Sequence, residues 1–168
     1  GFIKNGPQES NGLGGRRMYF DRTSTKLSNF NVDLATASEL QSDFGAATTA
    51  EALELIAYTR GLDVDDLDKD NNRSEARDWI FGDALHSRPL PINYGQMGSY
   101  SSPDNPAIYV AVASNDGTLR MLRNTAPGGS ENGSEAWAFV PRSVLSAQKT
   151  LRANGTGMRH PYTIDGAP

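Results

Sequence analysis

The densest chemistry in the chain is an acidic stretch in which Asp66, Asp68 and Asp70 alternate with other residues and lead into Asn71, Asn72 and Ser74. In an extended loop, oxygen side chains at alternate positions can converge on one hard cation. Calcium suits such a loop, because it accepts roughly six to eight oxygens in flexible geometry at roughly 2.3–2.6 Å. The stretch begins like an EF-hand loop, with acids at its first, third and fifth positions. It then departs, because Asn71 stands where that loop has glycine and Arg77 where it has a bidentate glutamate. Crowded carboxylates repel one another unless a cation sits among them, which favours a calcium loop. A solvated acidic loop is the alternative.

Charge is concentrated at the same place. Residues 63–75 hold six of the 20 acids (Asp63, Asp65, Asp66, Asp68, Asp70, Glu75) and two of the 16 bases, Lys69 and Arg73. The whole net charge of -4 therefore belongs to one short loop. No basic stripe is left to follow a phosphate backbone, so nucleic-acid binding is not expected. His86 beside Ser87 suggests nucleophilic catalysis at first sight, but neighbours along a strand point to opposite faces. The chain has two histidines, His86 and His160, and no nucleophile motif, so no catalytic residue is expected. Asp83 and His86 are read as hydrogen-bonding loop backbone, and Trp79, Tyr109, Trp137 and Phe139 as packing residues. Asn132-Gly133-Ser134 and Asn154-Gly155-Thr156 match the glycosylation pattern, a common chance match in such loops.

The elements that must position these groups are mainly β. At 168 residues the expectation is one domain with a moderate core. Hydrophobic content of 37%, with 17 glycines and nine prolines, favours a loop-rich β protein over a helical bundle. No apolar run approaches the roughly 20 residues needed to cross a bilayer. There is no cysteine, hence no disulfide. The opening Gly1-Phe2-Ile3-Lys4 suggests a processed portion of a longer precursor.

The strongest pattern lies at 107–124. Residues Ile108 to Ser114 are an apolar run, Asn115-Asp116-Gly117 is a turn, and Thr118 to Leu122 alternate. Asn, Asp and Gly tolerate the positive φ of tight hairpin turns, so a β-hairpin is predicted. Both arms are apolar enough to be covered on two faces, as in a propeller blade. Helix is predicted for Thr49–Arg60, capped by Thr48 or Thr49 and stopped by Gly61. Further strands are read at 79–81, 90–94, 135–140 and 160–164, and a short helix at 141–148. Residues 1–47 read as loop, as at Ser10 to Gly15, with one short strand near Arg17-Met18-Tyr19-Phe20. No internal repeat is visible.

Several of these segments together resemble the PilC/PilY family of type IV pilus biogenesis and tip-associated adhesin proteins. They are Tyr58-Thr59-Arg60-Gly61, Phe81-Gly82-Asp83-Ala84-Leu85-His86-Ser87-Arg88-Pro89, and the hairpin from Tyr109 to Leu119. Glu135-Ala136-Trp137-Ala138-Phe139-Val140-Pro141 and His160-Pro161-Tyr162-Thr163-Ile164-Asp165-Gly166-Ala167-Pro168 follow in the family order. The resemblance covers about residues 50 to 168. It implies a calcium-binding, modified quinoprotein-type β-propeller that assists pilus assembly, opposes retraction and mediates adhesion without catalysis. The chain departs from the family at Arg120-Met121-Leu122, where His-Ala-Phe is frequent. It also holds about one blade, whereas a propeller needs roughly four to eight.

The resemblance implies a division into a loop-rich lead-in, 1–78, with helix 49–60 and acidic loop 62–75, and a first blade region, 79–168. The family's metal pattern can be laid on Asp70, Asn72, Ser74 and Asp78, so the expected calcium ligands are Asp66, Asp68, Asp70, Asn72, Ser74 and Asp78. The implied partners are the remainder of the parent chain, minor pilins, and a host or abiotic surface. The implied location is the bacterial cell surface, pilus, outer membrane or periplasm. A fragment of a quinoprotein-like dehydrogenase is the alternative, and a bound, absorbing quinone would distinguish it.

Overall fold

The computed structural model describes residues 15–164, Gly166 and Pro168. In chain order its elements are β1 (Met18–Thr23), β2 (Lys26–Asn29), α1 (Leu34–Phe44), α2 (Thr49–Arg60), β3 (Leu90–Asn93), β4 (Ile108–Ser114), β5 (Thr118–Arg123), β6 (Glu135–Phe139) and α3 (Ala147–Ala153). A single 3-10 turn, Arg142–Val144, precedes α3. The strands make one mixed six-stranded sheet in the order β2-β1-β6-β5-β4-β3. The β-rich expectation therefore holds at the level of the sheet.

The predicted hairpin is present. β4 and β5 pair antiparallel from Tyr109 opposite Arg123 to Ser114 opposite Thr118, and Gly117 takes a φ of 81° in the turn. Positive φ is cheap only for residues such as glycine that lack a Cβ clash. β5 continues antiparallel to β6, where two ladder partners, Met121 with Trp137 and Leu122 with Glu135, skip Ala136 as a bulge. β3 pairs antiparallel with the other side of β4.

Helix α2 forms where its signals predict. Thr48 accepts a hydrogen bond from the Glu51 amide, and Gly61 ends the helix with a φ of 100°. Its Ala52, Leu55 and Ile56 are buried.

The N-terminal third differs from the sequence expectation. The loop expected at 10–15 lies, apart from Gly15, outside the described residues. Beyond it stand β1, β2 and a full helix, α1, instead of loop with one strand. The local chemistry explains α1: the Asp33 side chain accepts from the Thr36 amide at 2.7 Å, and Gly45 caps the other end with a φ of 62°. Ala37, Leu40 and Phe44 then share one face and are fully buried. Burial of side chains such as Leu or Phe is worth about 1.5–3 kcal/mol each.

α1 and α2 pack over one face of the sheet. Their Leu40, Phe44, Leu55 and Ile56 meet Met18 and Phe20 of β1 and Ala138 of β6, joined by Val140 and Leu145. β1 lies parallel to β6, so the sheet spans the boundary expected between residues 78 and 79. A second, smaller cluster joins Ala111, Met121 and Ala136 with Ile92, Tyr109, Leu119 and Trp137. No helical residue belongs to it.

Three other expectations change. Residues 79–81 and 160–164 are not strands, and the helix expected at 141–148 is a 3-10 turn followed by α3 at Ala147–Ala153. Both non-strand segments are held by side chains of the hairpin instead of by a ladder, as described below. No helix among the described residues is long and apolar enough to cross a membrane.

Candidate functional site

The acidic loop leaves α2 through a tight neck. Gly61 turns the chain, the Asp63 amide donates to the Glu75 carbonyl at 2.8 Å, and the Arg77 amide donates to the Gly61 carbonyl at 2.8 Å. An isolated bridge between Leu62 and Ala76 completes the closure. The Arg77 guanidinium lies 3.9 Å from the Tyr58 ring centroid and donates to the Tyr58 carbonyl at 2.7 Å. Burial lowers the Arg77 pKa and raises that of Tyr58.

Within the loop the side chains fold back on the backbone. Asp66 accepts from the Asn71 amide at 3.1 Å, Asp70 from the Asn72 amide at 2.7 Å, and Asn72 from the Ser74 amide at 3.1 Å. Asp66, Lys69 and Asn71 take positive φ of 52°, 63° and 69°. Asp66, Asp68 and Asp70, half of the ligand set expected from the sequence, each bring a carboxylate oxygen within 4.8 Å of the others. Asn72 and Ser74 follow in the same exposed loop, whereas Asp78 is exposed beyond the neck and outside that carboxylate group.

A second carboxylate group was not anticipated from the sequence. Asp63, Asp68 and Glu75 also bring oxygens within 4.8 Å of one another. Asp63 and Glu75 face each other because the neck pairs their backbones, and no local sequence pattern announces that pairing. Asp63 is 4% exposed, and its Oδ2 accepts from the Leu67 amide at 2.8 Å. Its Oδ1 is buried with no hydrogen-bond partner. Asp65, by contrast, has a cation: Arg152 of α3 donates to both of its oxygens, at 2.8 and 3.0 Å, and also reaches Glu54. The hydrogen bonds from Arg152 hold the Asp65 carboxyl below the usual range.

Next to the loop, residues from distant segments form a polar node around the β4–β5 turn. Arg120, fully buried on β5, donates to Asp116 and to the Ser114 hydroxyl at 2.7 Å, and its guanidinium stacks 4.3 Å from the Phe81 ring centroid. Its Nε lies 3.4 Å from Glu135, which Arg16 grips with two hydrogen bonds of 2.9 Å. Burial alone would raise the Asp116 pKa, but Arg120, Ser114 and the Gly82 amide together hold it below the ordinary carboxylate range.

The node also captures the two segments that are not strands. A Cβ on Gly82 would sit 2.6 Å from the Asp116 nitrogen, so glycine is required for this approach. Asp83 accepts from the Asn115 amide through its carbonyl at 2.9 Å and from the Asn115 side chain at 2.7 Å. Its other carboxylate oxygen meets His160 Nε2 at 2.9 Å. The Thr163 amide donates to the Asn115 side chain at 3.2 Å, and the Ala113 amide donates to the Ser87 hydroxyl at 3.2 Å.

Asp83 thus bonds side chains as well as backbone, which extends the sequence reading. His86 lies in a bend with Leu85, Ser87 follows it in irregular chain, and the His86 ring centroid is 6.2 Å from that of Tyr162. Among the aromatics read as packing residues, Tyr109, Trp137 and Phe139 are partly buried, but Trp79 is 83% exposed. Its segment runs outside the sheet, so no facing strand covers the indole. No family model, no curated protein and no solved structure matches this chain.

Proposed function

We propose that this chain is a non-enzymatic module of a type IV pilus assembly and adhesion protein, contributing the first blade region of a modified, quinoprotein-type β-propeller. One observation carries the reading. Segments far apart in sequence, which together make up the resemblance, meet in one place: Gly82, Asp83 and Ser87 bond the hairpin turn, Glu135 approaches Arg120, and His160 and Thr163 close over Asp83 and Asn115. Side chains recurring in a family order acquire a common task if their job is to lock loops onto a blade. Asp83 and His160, the acid and base a catalytic reading would need, spend hydrogen bonds on this locking.

Two further features support it. β3, β4, β5 and β6 are consecutive and each pairs antiparallel with the next, the arrangement of a four-stranded propeller blade. The apolar cluster of Ile92, Tyr109, Met121 and Trp137 includes no helical residue and suits packing by a neighbouring blade of the parent chain. In this reading the protein is exported to the cell surface, its partners are the rest of its own chain and the minor pilins, and calcium in the acidic loop orders the approach to the blade.

The test is genetic. Deleting the coding sequence in the bacterium that makes it should reduce surface pili recovered by shearing, twitching motility and attachment together. Complementation with the wild-type gene should restore all three. Unchanged pilus yield, motility and attachment in the deletion strain would overturn the reading.

A further inference from the structure

We infer that Asn154 is a site of spontaneous covalent modification: its side-chain amide condenses with the Gly155 backbone to a succinimide, which water opens to aspartate and isoaspartate. The inference is independent of the pilus and calcium readings above.

Two Asn-Gly pairs stand among the described residues, Asn132-Gly133 and Asn154-Gly155, the same two that match the glycosylation pattern. Asn5-Gly6 and Asn11-Gly12 lie outside those residues. Glycine leaves the attacking nitrogen unhindered by a side chain and the backbone free to turn, so the local sequence makes the two pairs nearly equal. In the step, the Gly155 nitrogen bonds to the Asn154 side-chain carbonyl carbon. The bond from that carbon to Nδ2 breaks, and the proton of the glycine amide leaves with Nδ2 as ammonia. Water then cleaves the imide at its side-chain carbonyl, giving aspartate, or at its main-chain carbonyl, giving isoaspartate. Water is the one co-reactant.

Tertiary structure separates the pairs. The Asn132 side-chain oxygen accepts from the Gly133 amide at 2.9 Å and from the Ser134 amide at 2.8 Å. Backbone bonds clamp both flanks: the Asn132 amide donates to the Asn124 carbonyl at 3.0 Å, and the Arg123 amide to the Ser134 carbonyl at 2.9 Å. Asn154 is exposed at the end of the seven-residue helix α3, and its side chain makes no hydrogen bond among the described residues. Its amide donates to the Thr150 carbonyl at 3.1 Å, and the Met158 amide closes the following turn on the Gly155 carbonyl at 3.1 Å. The Gly155 amide meets the Met158 sulfur at 3.2 Å, a weak acceptor.

Asn154 is left-handed, with φ and ψ both 39°, which turns the Gly155 nitrogen away from the side chain. Reaction therefore runs from a locally opened chain, and the cost of opening sets the rate. That cost is small where backbone hydrogen bonds are exposed and buried contacts few, as at Asn154, and larger between the clamps at Asn132. The helix end itself creates the site, because asparagine serves there as the left-handed cap that glycine usually supplies. Either product places a negative charge at the C-terminal end of α3, where the helix dipole opposes it, beside the cavity that Asp65 and Arg152 also line.

The test is to incubate the full chain in mildly alkaline buffer and to map its peptides by mass spectrometry over time, separating aspartyl from isoaspartyl forms. In the native protein Asn154 should convert at least about tenfold faster than Asn132, since local opening differs between them. In concentrated urea the clamps on Asn132 are gone, and the two rates should converge to within about twofold. Conversion of Asn132 as fast as Asn154 in the native protein, or no conversion at Asn154, would overturn the inference. So would a native ratio that persists in urea, because the difference would then lie in the local sequence and not in the fold.

Discussion

The acidic loop and the polar node lie side by side, and both are rich in charged side chains, yet they solve the charge problem in opposite ways. In the node Asp116 has Arg120, and Glu135 has Arg16 and Arg120, while Asp83 bonds the side chains of Asn115 and His160. The arginine pairs sit in or beside the core, where effective dielectric is low and attraction between neighbours is strong. In the loop Asp65 is matched by Arg152, Asp63 keeps a buried oxygen without a hydrogen-bond donor, and Asp66, Asp68 and Asp70 bring carboxylate oxygens within 4.8 Å of one another. In the node the buried ion pairs are made within the protein, although the Arg120 Nε also stays without a hydrogen-bond partner, and the network acts as architecture.

The largest effect on this contrast should come from truncating Arg120. Arg120→Ala would strand Asp116 and leave Glu135 with Arg16 alone, and breaking a buried ion pair from one side costs about 3–5 kcal/mol. Urea unfolding should register that loss, and a change below about 1 kcal/mol would mean the node is wetter and weaker than its geometry.

Acid should also separate the regions. The folded Asp116 pKa is depressed, so its contribution is complete above the ordinary carboxylate pKa near about 3.9 and is lost as pH falls below it. Stability measured from about pH 6 down to about pH 3 should therefore drop at the acid end. Asp116→Asn should lower stability at neutral pH and flatten the acid limb. An unaltered slope would show that Asp116 is not the group responsible.

The smallest effect is expected at the edge of the loop. Arg152→Ala removes the bonds to Asp65 and Glu54, which are exposed, and such pairs are worth about 0–1 kcal/mol. The loss should fade in high salt, as screening requires. A salt-independent loss of the size expected for Arg120 would erase the distinction between paired surface charge and paired buried charge.

Much of the scaffold was legible from short-range pattern. The hairpin followed from Asn115-Asp116-Gly117 between apolar runs, and α2 from Thr48 and Gly61. The helix α1 carried comparable signals in Asp33, Gly45 and the spacing of Ala37, Leu40 and Phe44, but the polar residues between them masked its buried face. The strands read at 79–81 and 160–164 failed for a different reason. Both segments look extended, yet Gly82 and Thr163 are fastened by the side chains of Asp116 and Asn115, and no pattern within either segment reports a partner some 30 to 50 residues away.

For the candidate metal site, alternation marked Asp66, Asp68 and Asp70 as a group. Asp63 and Glu75 carried no such mark, because they meet only after the Asp63 amide has bonded the Glu75 carbonyl.

What the sequence determined by itself was whatever one or two turns of backbone can enforce: caps, a tight turn, and the seat of the net charge. Tertiary structure decided which strand lies parallel to β6, which loops the hairpin holds, and which carboxylate is shut away from water. Those outcomes depend on pairings between remote residues, whose energies appear only once the chain has closed its long loops and excluded solvent from between them.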